Sequence, residues 1–105
     1  MGEVSKLFAL IIGHAFSDYA LQNDFVAKFK ARRIEGKYNS WWPWVLTSHA
    51  LMHGGVVWIV TGNVWLGVAE SLAHWIIDLA KCEKFIGFHT DQTLHIVCKV
   101  IWSVI

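Results

Sequence analysis

The sequence predicts an all-α protein, a four-helix transmembrane bundle of antiparallel up-down topology that occupies residues 1–105 as one domain. Three observations carry that expectation. Hydrophobic residues make up 55% of the 105 positions and mean hydropathy is +0.43, more apolar than a water-exposed domain of this size needs to be. The apolar residues gather into helix-length segments, and one of these, Trp41 to Gly62, contains no Asp, Glu, Lys or Arg. Seven of the nine Lys and Arg residues fall in two connections on what would be one side of the bundle.

The first expected helix runs from Leu7 to about Ala27, broken in polarity by His14, Ser17, Asp18, Gln22, Asn23 and Asp24. A basic connection follows with Lys28, Lys30, Arg32, Arg33 and Lys37, read as a topology signal in preference to a phosphate site. Trp41, Trp42 and Trp44 then stand as interfacial anchors at the head of a second helix, Pro43 to Thr61, where Pro43 is tolerated in the first turn because its missing N–H would be unpaired anyway. Gly62-Asn63 reads as a tight turn. The third helix is expected over Val64 to Lys81. A short connection carrying Lys81 and Lys84 leads to a fourth helix, capped by Thr90 and running to Ile105. The positive-inside rule would put both termini on the outer face of a bacterial inner membrane, with Trp58, Trp65 and Trp102 at the outer boundary. The two hairpins share a layout that suggests an internal repeat.

Other features exclude more than they assert. A net charge of +1 makes no case for nucleic acid, Cys82 and Cys98 form no CxxC or disulfide pattern, and no removable signal peptide is read at the N-terminus.

Each expected helix carries a pair of His or Asp residues four apart: His14 with Asp18, His49 with His53, His74 with Asp78, and Asp91 with His95. Residues at this spacing share one helix face. For ten His and Asp residues scattered at random, about one such pair is expected. In antiparallel helices the pairs sort into layers, with Asp18, His49, Asp78 and Asp91 at one level and His14, His53, His74 and His95 one turn deeper. Leu10, Val57, Glu70 and Lys99 come one turn further on.

A mixed set of imidazoles and carboxylates suits divalent metal, with zinc ahead of manganese or iron, and the number of donors suits two ions. Gln22, Gln92 and Lys81 lie close enough in sequence to orient the ligands or to meet substrate. The alternative is a proton relay or interhelical polar packing by the same residues. Glu70 with Lys99 reads as a buried ion pair ahead of a catalytic dyad, and His89 as a solvated loop residue.

The run His14-Ala-Phe-Ser-Asp18-Tyr-Ala-Leu-Gln22, with His49 and His53, His74-Trp-Ile-Ile-Asp78-Leu-Ala-Lys81 and Asp91-Gln92-Thr-Leu-His95, resembles a family of small bacterial and phage membrane proteins of unknown function, domain of unknown function 3307. It is more distantly similar to inner-membrane proteins described as metal-dependent hydrolases. That resemblance implies a metal and hydrolysis without naming a substrate. The functional expectation is therefore a metal-dependent hydrolase of a lipid or of a phosphate or acyl ester near the cytoplasmic leaflet. His14, Asp18, His49, His53, His74, Asp78, Asp91 and His95 would be metal ligands, Glu70 the candidate base, and Lys81 or Lys99 the anion contacts. Membrane lipid and a second copy of the chain are the expected partners. A metal or proton transporter or sensor, and a metal-stabilised structural protein, are the alternatives.

Overall fold

A computed structural model describes residues 2–20, 22–31 and 40–105. Among these the chain forms α1 (Glu3–Ala15), a π-helical turn (Phe16–Ala20), α2 (Asp24–Phe29), α3 (Trp42–Thr61), α4 (Val64–Cys82) and α5 (Phe88–Val104). Arg32, Arg33 and Lys37 of the basic connection lie outside the described residues.

The first expected helix is two helices. The π turn widens the backbone after Ala15 so that both Ser17 and Asp18 are buried, and π turns of this kind recur at functional sites. Asn23 then starts α2 as its N-cap, its Oδ1 accepting the Val26 N–H at 2.9 Å. At the other end of the chain α5 begins at Phe88 after Gly87, so Thr90 lies inside the helix and does not cap it. Between α3 and α4 the turn forms as its residues dictate: Gly62 closes α3 in the left-handed region with φ 70°, and the Asn63 side chain accepts the Trp65 N–H at 2.9 Å to open α4.

α3 and α4 share the most extensive contact, made possible by Gly54 and Gly67. A Cβ on Gly67 would sit 2.8 Å from the Gly54 carbonyl oxygen and 2.9 Å from the Trp58 Cβ, so the two backbones nearly touch. α1 and α5 close the bundle, with α1 against α3 and α5 against α4.

The stripes that face inward are polar. α5 buries Asp91, His95, Lys99 and Ser103 at strict four-residue spacing, and α4 buries Gly67, Glu70, His74 and Asp78. Large buried apolar side chains are confined to Leu10, Leu46 and Val57 among the described residues, while Phe8, Trp44, Ile59 and Trp65 point outward.

This polarity corrects the transmembrane expectation. Among the described residues no helix is long and apolar enough to cross a membrane. α1 ends after 13 residues at the π turn, α5 has 17, and the 20-residue α3 and 19-residue α4 spend their inner stripes on imidazoles and carboxylates. The fold is an all-α helical bundle. The multi-pass inner-membrane location, the outward-facing termini and the role of the Trp residues as boundary anchors have no support from it.

Candidate metal centre

The four i, i+4 pairs converge on the bundle axis. Asp18, delivered by the π turn, is the hub: its Oδ1 lies 3.2 Å from Nε2 of His49 and 3.2 Å from Nε2 of His53. His53 stacks on His74 at 3.7 Å between ring centroids, and His74 stacks in turn on His95 at 4.1 Å. His14 packs against this column, 5.3 Å from the ring of His53 and 5.3 Å from that of His95.

Donor atoms of Asp18, His49, His53 and His74 all lie within 4.8 Å of one another, and those of Glu70, His74 and His95 form a second such group that shares His74. His14, Asp78 and Asp91, sequence-predicted ligands, belong to neither group, whereas Glu70, predicted as a base, belongs to the second. Asp78 is held by cations instead: Lys30 Nζ lies 2.9 Å from its Oδ2, and Lys81 Nζ lies 3.4 Å from its Oδ1. Asp91 lies 3.3 Å from His95 Nε2 and 3.7 Å from Lys81 Nζ. Glu70 is fully buried, taking the Lys99 ammonium on Oε1 and the Trp102 indole N–H on Oε2 at 2.7 Å.

Gln92 knits the open edge together. Its amide donates to Asp18 Oδ2 at 2.9 Å and to Asp91 Oδ2 at 3.0 Å, while its carbonyl accepts from Tyr19 at 2.8 Å and meets His14 Nε2 at 3.1 Å. Gln22 accepts from Lys30 Nζ at 2.6 Å and donates to the Asp18 carbonyl. Lys30 is the residue that sequence reasoning missed. It sits in a run of basic residues that looks solvated, yet it is 3% exposed and reaches Asp78, 48 positions on.

The electrostatics follow from burial. Desolvation pushes the imidazoles of His14 and His74 below their ordinary range and that of His53 down to about 4, so these rings are neutral and keep lone pairs for coordination. Burial alone would raise Asp18, but the approach of His49, His53 and Gln92 holds its carboxyl far below the usual carboxylate range. Burial likewise opposes ionisation of Asp91, but His95, Lys81 and Gln92 together carry its carboxyl below the ordinary value. Lys81, partly desolvated, is carried above its ordinary value by Asp78 and Asp91.

The donors fit a metal. Nδ1 and Nε2 of His49, both ring nitrogens of His74 and Nε2 of His53 are buried without a hydrogen-bond partner; the contacts to Asp18 lack hydrogen-bond geometry. Unpaired buried polar atoms are costly. Three imidazoles and one carboxylate make a tetrahedral zinc set, which requires donor atoms roughly 3.4 Å apart, a modest contraction of this cluster. No curated protein and no solved structure matches the chain. Residues 6–105, which contain the whole centre, match the family described as protein of unknown function (DUF3307), and the chain belongs to that family.

Proposed function

We propose that this chain is a metal-dependent hydrolase of a phosphate or acyl ester, with a divalent ion, zinc by donor chemistry, held by Asp18, His49, His53 and His74. The observation that carries the reading is the convergence of these four buried groups with imidazole nitrogens that no hydrogen bond uses. A divalent ion bound there supplies Lewis-acid polarisation of the ester oxygen. The protein's own groups supply the rest. Gln92 fixes Asp18 and His14 from the open edge. Lys81, whose side chain is 25% exposed where the ligands are enclosed, is the cation that an anionic substrate would meet first. Glu70 and Lys99 lie deeper, paired with each other.

The enclosure of the ligands favours a second reading, in which the ion is structural. Asp18, the most exposed of the four, is 7% exposed. Elemental analysis of purified wild type and His53→Ala, followed by phosphatase and esterase screens, separates the readings. Stoichiometric metal that falls in the variant, with turnover in the wild type that falls in Lys81→Met, supports the hydrolase. Metal without turnover, and a fold lost on chelation, supports the structural role. Metal-free wild type removes both.

A further inference from the structure

The second group, Glu70, His74 and His95, has the donors of a metal site but not its charge. Among the described residues four buried carboxylates line the bundle: Asp18, Glu70, Asp78 and Asp91. Three ammonium groups among the described residues face them, Lys30 on Asp78, Lys81 on Asp78 and Asp91, and Lys99 on Glu70. Among the described residues Asp18 is the one buried carboxylate whose close partners are imidazoles and an amide, with Lys81 acting on it only at longer range. The demand for positive charge is therefore least met, among the described residues, at Asp18, and one divalent ion would meet it. Charge at Glu70 is already balanced.

The geometry at Glu70 points the same way. Lys99 is 1% exposed and holds Oε1, the oxygen that also faces His74 Nδ1 at 3.5 Å. Trp102 holds Oε2. A divalent ion drawing on Glu70, His74 and His95 would have to settle beside the Lys99 ammonium among fully buried groups, where the repulsion is little screened. Lys99 lies on the buried face of α5, with Asp91, His95 and Ser103.

We propose that Lys99 is a tethered cation standing in the second metal position, so that the centre holds one divalent ion per chain and Lys99 sets that stoichiometry. The inference rests on the metal-binding reading above and replaces the two-ion expectation drawn from counting ligands. Neutralising Lys99 leaves Glu70 an uncompensated buried carboxylate beside two imidazoles, which is a metal site.

The test is zinc content per chain after saturation and dialysis, for wild type, Lys99→Met, and Lys99→Met combined with His95→Ala. One zinc in the wild type, two in K99M, and one again in the double variant is the expected pattern. K99M should also unfold at a lower temperature than wild type without metal and regain more on the second equivalent of zinc than on any addition to wild type. Lys99→Gln, whose amide can still donate to Glu70, carries the same test if K99M does not fold, with two zinc ions expected. Two ions in the wild type overturn the proposal and leave metal binding intact. One ion in wild type and in a folded Lys99 variant overturns Lys99's role. None in the wild type overturns the metal-binding reading, and this inference with it.

Discussion

The rings of His53 and His74 lie stacked, 3.7 Å between centroids and 20° between planes, and three of their four nitrogens have no hydrogen-bond partner. Such an arrangement is poor as packing, since buried imidazole nitrogens left unpaired cost about 1–3 kcal/mol each. It is good as a ligand set. Zinc at a hundred times its dissociation constant should therefore stabilise the wild type by about 2.7 kcal/mol, by mass action on the folded state. His53→Ala should lose most of that gain. Thermal unfolding with and without zinc measures it, and an equal shift in both proteins would remove His53 from the ligand set.

Lys30 and Asp78 form the buried pair that the sequence hid. Removing one partner of such a pair typically costs about 3–5 kcal/mol, because the other charge is left in the core. Lys30→Met should fall toward the lower end, since Lys81 also reaches Asp78 at 3.4 Å. Lys30→Met with Asp78→Leu should recover much of the loss. Urea unfolding of the wild type and the two variants tests this; a Lys30→Met chain as stable as wild type would mean that the pair contributes nothing.

What the sequence revealed and what it concealed divide along one physical line. The i, i+4 pairs were legible because helical spacing alone puts His49 and His53, or Asp91 and His95, on one face, and the Gly62-Asn63 turn because its two residues have few other conformational uses. Lys30 was not legible, because contact across 48 positions leaves no local pattern. Nor was the π turn at Phe16–Ala20, which a 3.6-residue period cannot reveal. The membrane expectation failed for a related reason. Mean hydropathy counts apolar residues without asking where they face, and here many large apolar residues turn outward around a core that holds, among the described residues, thirteen buried polar or charged side chains.

Gly54 and Gly67 set the α3–α4 distance, and their neighbour Gly55 provides a control on the same helix. An added methyl at Gly67 meets backbone and a Trp58 Cβ at under 3 Å, so Gly67→Ala should destabilise by about 1–3 kcal/mol through overpacking. At Gly55 a Cβ meets nothing within 4 Å, and Gly55→Ala should stabilise by up to about 1 kcal/mol through helix propensity. Opposite signs in denaturant midpoint are the expected result. Equal effects would show that the close approach is not what Gly67 provides.

The two thiols give a pH dependence with a fixed sign. Burial raises Cys82 above its ordinary 9.0, with Asp78 adding to the effect, and burial raises Cys98 likewise, with Glu70 adding to it. A folded-state value above the unfolded one means that the neutral thiol is favoured by folding. This stabilising contribution is fully present below about pH 9, the unfolded value, and is lost as pH rises through the higher folded value. Alkylation requires thiolate, so at pH 8.5 iodoacetamide should modify the folded chain several-fold more slowly than the unfolded chain. Mass spectrometry of a time course with and without denaturant reads both sites separately. A cysteine alkylated as fast folded as unfolded would show that its surroundings neither shield it nor suppress its ionisation.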